Sequence, residues 1–139
     1  MSVFTRRAPI RFAHCDAAGL IFYPHFFALV NEMVEDWFAG PLGHSFKTLH
    51  IAEKKGVPTA HLTADFIQPV RLGDELEQTL RVARLGDASC RLKHEASICA
   101  EPVARFDHTI VYVDLASMRP EPWPAALRER MANFAEPTA

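Results

Sequence analysis

Cysteine is scarce: Cys15, Cys90 and Cys99 are the only three, and no Cys-x-x-Cys pair occurs. That excludes a disulfide framework and a structural zinc site of ordinary spacing. Cys90 and Cys99 are expected to act as small buried hydrophobes. The seven histidines lack ligand spacing such as His-x-x-x-His, so no metal and no cofactor are expected. A basic excess is also missing. Fifteen Lys and Arg face seventeen Asp and Glu, a net charge of −2, which argues against a nucleic-acid partner. No apolar stretch approaches the roughly 18 residues of a membrane span. Arg6-Arg7 runs into Ala8-Pro9-Ile10-Arg11 rather than an apolar signal core, so a cytoplasmic location without a membrane partner is expected. There is no Gly-x-Ser-x-Gly elbow, and the serine-hydrolase route has no support. No repeat or low-complexity linker divides the chain.

What is present is a chain of 139 residues, 49% hydrophobic, enough for one domain spanning 1–139 with a real core. Residues 3–12 read as a first strand, broken by the turn-forming Asp16-Ala17-Ala18-Gly19. Phe26, Val30, Met33 and Trp37 then fall at helical spacing, with Phe27, Val34 and Phe38 beside them and Asn31, Glu32, Glu35 and Asp36 opposite. Pro24 suits the first turn of this helix and Gly40-Pro41 ends it, which predicts a helix over 24–39. Residues 43–55 read as irregular or weakly helical. β-strands are expected over 59–69, 74–85, 89–99 and 103–113, with turns at Gly86-Asp87 and at Ala100-Glu101-Pro102. In the second of these, Leu76, Gln78, Leu80 and Val82 alternate against Glu77, Thr79, Arg81 and Ala83. A short amphipathic helix over 125–134 follows the prolines at 120, 122 and 124. A strand, a long helix and a run of hairpins make an α+β protein. An antiparallel sheet packs on one central helix and curls around it.

The chemistry concentrates before that helix. An Asp in a Gly-containing turn ordinarily stabilises the turn or caps a helix. Asp16, however, lies eight residues before Pro24, too far to cap there, and its small neighbours leave room for a ligand. The free N–H groups of the helix N-terminus, near Tyr23 and His25, can polarise a carbonyl and stabilise an oxyanion. His14 and Cys15, as neighbours on a strand, would point to opposite faces and not form a catalytic pair. Core packing is the first reading of Phe26 and Phe27, while Phe22 can line a pocket.

The run Phe12-Ala-His-Cys-Asp16-Ala-Ala-Gly19-Leu-Ile-Phe-Tyr23-Pro24-His25-Phe-Phe resembles the signature of the 4-hydroxybenzoyl-CoA thioesterase family, and the likeness continues through Gly56-Val57-Pro58 and Ala64-Asp65-Phe66. The resemblance implies the hotdog fold and hydrolysis of an acyl-CoA substrate, with an aromatic acyl group such as benzoyl or hydroxybenzoyl favoured. It implies Asp16 as nucleophile or general base and the Tyr23 N–H as oxyanion donor. Gly19, Val57, Pro58 and Thr59 would contact substrate, the Val57–Thr59 segment coming from a partner subunit of a homo-oligomer, dimer or tetramer. Read from the residues, His25 either orients substrate or water or is an ordinary polar residue at the helix start, and His61 either faces the acyl pocket or is a satisfied strand histidine. The hairpin turn Leu85-Gly86-Asp87-Ala88-Ser89 lacks the basic residues that the family places there, which leaves Arg84, Arg91 and Lys93 for the CoA phosphates. Short or branched aliphatic acyl-CoA hydrolysis, a hydratase of the same fold and a non-catalytic acyl-CoA binding protein are the alternatives.

Overall fold

Three consecutive long strands, each reaching its neighbour through a short turn, make the frame. β4 (Glu75–Leu85), β5 (Ser89–Ile98) and β6 (Glu101–Val111) pair antiparallel in a computed structural model that describes residues 2–136. β1 (Phe4–Pro9) adds to β4 on one side and β3 (Thr59–Phe66) to β6 on the other, giving the order β1-β4-β5-β6-β3. A two-residue strand β2 (Lys55–Gly56) pairs separately with β7 (Val113–Asp114). The long helix α1 (Tyr23–Ala39) lies on one face of the large sheet, and α2 (Ala125–Ala132) closes the end near β4.

The helix buries Phe26, Leu29, Val30, Met33, Val34, Trp37 and Phe38. Each such side chain contributes about 1.5–3 kcal/mol through removal from water. Its first half packs on Ala8, Leu76, Ala96, Ala104 and Phe106, and its second half on Leu80, Leu92, Ile110 and residues of α2. The alternation over β4 holds: Leu76, Gln78, Leu80 and Val82 are all buried. Gln78 is tolerated there because its amide is satisfied. Its Nε2 donates to the Leu29 carbonyl at 3.2 Å, and its Oε1 accepts from Arg6 at 3.2 and 3.0 Å.

Several boundaries differ from the expectation, each for a local reason. β1 stops at Pro9, which has no N–H to extend a ladder, and residues 12–14 form a 3-10 turn instead of more strand. β3 stops at Phe66 because the N–H groups of Ile67 and Gln68 both turn to the Val103 carbonyl, at 2.8 and 3.2 Å. Residues 47–52, within the stretch expected to be irregular or weakly helical, wind into a π-helical turn that buries Leu49. The β5–β6 turn begins one residue earlier than expected and is shorter, Cys99-Ala100, and Glu101 and Pro102 already belong to β6.

That turn also corrects the reading of Cys99, which is exposed, whereas Cys90 is buried as expected and its thiol is pushed up to about 12 by desolvation. Cys99 and Ala100 both adopt positive φ, 49° and 66°, the left-handed geometry that two-residue hairpins prefer to fill with Asn-Gly. Replacing Cys99→Asn together with Ala100→Gly is expected to stabilise the fold by about 1–2 kcal/mol. A urea melt checks this, and an unchanged or lower midpoint would count against the strain.

Candidate active site

The loop from Cys15 to Ile21 is a miniature hairpin. Cys15 bridges Ile21, the Asp16 N–H donates to the Leu20 carbonyl at 2.8 Å, and the Phe22 N–H donates to the His14 carbonyl at 2.9 Å. Gly19, at φ 76°, supplies the left-handed residue that reverses the chain. The loop is pinned to the segment after β3, since Ile21 N–H donates to Val70 C=O at 2.8 Å and Leu72 N–H to Gly19 C=O at 2.9 Å. The Asp16 side chain is exposed. Its Oδ1 accepts from the N–H of Ala18 at 2.8 Å and of Leu20 at 3.3 Å, while Oδ2 has no hydrogen bond among the described residues. The turn-forming role and a free carboxylate oxygen therefore coexist in one side chain.

The helix N-terminus is more selective than the sequence implied. The His25 N–H is already used, donating to the Phe22 carbonyl at 2.8 Å, and Pro24 has none. The expectation that donors near both Tyr23 and His25 are free is thus corrected: of these first residues, only Tyr23 has an N–H without a protein acceptor among the described residues. The His25 ring is held in place instead, its Nδ1 3.0 Å from the His14 carbonyl, so the neutral ring carries its proton on Nδ1 and a lone pair on Nε2. His14 and Cys15 sit in and after the 3-10 turn rather than on a strand. The His14 Nδ1 accepts the Arg11 N–H at 2.9 Å and makes no pair with the thiol.

Beside this terminus an open apolar groove of about 600 Å³ is lined by Leu20, Ile21, Tyr23, Phe26, Phe66 and residues 67–70. Tyr23 is 59% exposed, and Phe66 lies edge-on to it at 6.4 Å and tilted against Phe26 at 5.9 Å. Phe26 therefore serves both core and groove, Phe27 is half-buried, and Phe22 is exposed outside the groove lining. Among the described residues no cluster of three or more His, Cys, Asp or Glu side chains could hold a metal, and no helix is long and apolar enough to cross a membrane.

Residues 10–131 match the family model of the Thioesterase-like superfamily. The chain belongs to that superfamily. It has the hotdog fold, and the enzyme class implied by the resemblance, a thioester hydrolase, is borne out. A 1,4-dihydroxy-2-naphthoyl-CoA hydrolase of Synechocystis is 25% identical over 91% of this chain and 96% of that one. Alignments with cyanobacterial relatives of the same name span from 66% to 96% of their lengths. Among solved structures, a 1,4-dihydroxy-2-naphthoyl-CoA thioesterase from Synechocystis superposes with a TM-score of 0.87 at 21% identity, over 96% of this chain and 98% of that one. A gentisyl-coenzyme A thioesterase superposes with a TM-score of 0.82 at 25% identity, over 91% and 98%.

The other residues that a thioesterase reading singles out lie apart from the groove. Val57 packs against the core, the Pro58 carbonyl accepts the Val111 N–H at 3.1 Å, and Thr59 bonds His108. His61 is exposed, near Asp107 on the face away from α1. None of these four lines the groove within this chain. Of the basic residues, Arg91 is engaged by Asp107 through two bonds of 2.8 and 2.5 Å, and Lys93 lies 3.5 Å from Glu136. The Arg91 guanidinium holds the Asp107 carboxyl below the usual range. Arg84 is exposed and has no ion pair among the described residues, beside a shallow depression with Gly86, Asp87 and Ser89.

Sequence reasoning missed Phe66 and the 67–70 segment as groove walls. Pro69 and the apolar neighbours Ile67 and Val70 are the available signal, but Ile67 and Pro69 read as the end of a strand and Val70 as the connection after it.

Proposed function

We propose that this thioesterase hydrolyses aromatic acyl-CoA esters, of the benzoyl or hydroxybenzoyl kind. The observation that carries it is the apolar groove walled by Tyr23, Phe26 and Phe66 at a helix N-terminus whose free donor is the Tyr23 N–H. An aryl group fits among those rings edge-to-face, with the thioester carbonyl oxygen at the Tyr23 N–H. Asp16 then adds its free carboxylate oxygen to the carbonyl carbon, or takes a proton from water that does so. The tetrahedral oxyanion is held by the Tyr23 N–H, and its collapse breaks the C–S bond. Coenzyme A leaves as a thiolate, which needs little acid assistance. On the nucleophilic route water then cleaves the acyl-aspartyl anhydride, regenerating the carboxylate. Relatives named for naphthoyl-CoA and gentisyl-CoA esters support an aromatic substrate.

The site is completed, on this reading, by a second copy. β3 is an edge strand whose Thr59, Ala60, His61, Thr63, Asp65 and Phe66 are exposed. Thr59 and Phe66 are about 23 Å apart along it at ~3.3 Å per residue. Antiparallel pairing of two such edges about a two-fold sets Thr59 of one chain beside Phe66 of the other. This brings Val57, Pro58 and Thr59 to the partner's groove, and two such dimers can assemble into a tetramer. Arg84 serves the CoA phosphates better than Arg91 or Lys93, whose charges are already paired.

A thiol-release screen over aryl, short-chain and long-chain CoA esters tests the assignment. The expected result is that aryl esters have the highest kcat/KM. If only aliphatic esters turn over, the substrate class is wrong; if no ester releases thiol, so is the reaction.

A further inference from the structure

Two histidines lie on the sheet face that α1 covers, far from where histidines usually sit. His94 of β5 and His108 of β6 are 3% and 1% exposed, with ring centroids 5.4 Å apart. They form a short chain. The His108 Nε2 is 2.7 Å from Thr59 Oγ1, and its Nδ1 is 3.3 Å from His94 Nε2. The far end, His94 Nδ1, is buried with no hydrogen-bond partner among the described residues. Desolvation pushes His94 down to about 3, assisted by His108, and pushes His108 down to about 4. Both rings are therefore neutral near pH 7, each with one N–H.

Two proton arrangements keep the chain connected. With protons on Nδ1, His94 buries an N–H without an acceptor, His108 donates to His94, and Thr59 donates to His108. With protons on Nε2, His94 buries only a bare lone pair, donates to His108, and His108 donates to Thr59. Orphaned buried N–H groups are rarer than under-satisfied acceptors, so the second arrangement wins. Thr59 Oγ1 is then the acceptor at the end of the chain, and its own hydrogen is free to point outward. Successive bonds in one direction polarise each other and reinforce that assignment.

We propose that the buried His94–His108 pair positions Thr59 as an outward hydrogen-bond donor, which selects acyl groups carrying an acceptor oxygen. The selection rests on the proposed function, in which Thr59 reaches the partner's groove. The two histidines are positioning residues and touch no substrate.

The donor assignment is tested on the wild-type protein by the ring nitrogen-15 shifts of its histidines. The two signals are identified by their loss in the paired variant His94→Leu, His108→Leu, which leaves neither ring orphaned. Both rings are expected as the Nε2–H tautomer; an Nδ1–H tautomer at either overturns the assignment. The selection is tested by kcat/KM for 4-hydroxybenzoyl-CoA against benzoyl-CoA. Thr59→Val and the paired variant should each lower the ratio of kcat/KM for the hydroxylated ester to that for benzoyl-CoA about tenfold, chiefly through the KM of the hydroxylated ester. Combining them should be no worse than either. Equal losses on both esters, or none, overturn it. Should the paired variant not fold, His108→Gln identifies the His108 signal by its loss, and because its amide N–H reaches the Nε2 position it should retain the discrimination; a loss of discrimination in it overturns the selection. No thiol release from either ester would sink the proposed function, and the selection with it, while the tautomers would still decide the donor assignment.

Discussion

Asp16→Asn should lower kcat for an aryl-CoA ester by roughly a hundred- to ten-thousand-fold, the span over which a lost general base or nucleophile is felt, and leave the fold intact. The two halves of this expectation come from the two oxygens of one side chain. Asn keeps a carbonyl oxygen in the place of Oδ1, where the N–H groups of Ala18 and Leu20 are satisfied at 2.8 and 3.3 Å. The amide nitrogen replaces Oδ2 and can neither attack a carbonyl nor accept a proton from water. Asp16→Ala removes both functions and should also loosen the turn. A purely structural Asp16 predicts the opposite pattern, with Asn near wild type and Ala impaired. Thiol release by the purified Asn variant, alongside its melting temperature, separates the two. Near-normal turnover in that variant would end the catalytic reading.

The second large effect is on stability in mild acid. His94 and His108 have folded-state values of about 3 and about 4, against about 6.5 for an unperturbed histidine. Between those values the unfolded chain binds protons that the folded chain refuses, so stability falls as pH drops below about 6.5. At about 1.4 kcal/mol per pH unit for each ring, the pair costs about 4 kcal/mol at pH 5. That is a large share of the 5–15 kcal/mol of a typical domain. Asp107 and Asp114 are held below the usual carboxylate range, so their contributions persist until the pH falls further. Urea melts at pH 7 and pH 5 should show a marked drop for the wild type. The paired leucine variant should show a much smaller one. Parallel slopes in the two proteins would remove the histidines as the cause.

Much of this was readable in advance because the signals were periodic. The helix was expected at 24–39 and spans Tyr23–Ala39, since seven apolar residues at helical spacing leave little choice of face. β4 was equally plain, Gln78 included. What was not legible lies where the backbone decides. No pattern says that the His25 N–H closes on Phe22 and leaves Tyr23 alone as donor, although Pro24 already removed one competitor. The Cys99-Ala100 turn contains neither Asn nor Gly, so its left-handed geometry had no composition signal. His94 and His108 alternate with charged or polar residues on their strands, as inward positions do, yet only the pairing of β5 with β6 brings the rings together.

The order of strands in the sheet has a further consequence, for assembly of the fold. β4, β5 and β6 follow one another through short turns, and their pairing closes short loops. The strands at the two edges do not: Pro9 meets Glu75, and Phe66 meets Ala104, across long intervening stretches of chain. Closing a loop costs about 0.6 kcal/mol more for each doubling of its length, paid before the contacts it enables. The Asp16 loop hangs from the end of β1, and the groove wall Phe66 ends β3. The central meander can form from neighbours in sequence, but a chain that has only the meander has neither the carboxylate nor the groove in place. The proposed site is thus mounted on the two least local pairings of its large sheet.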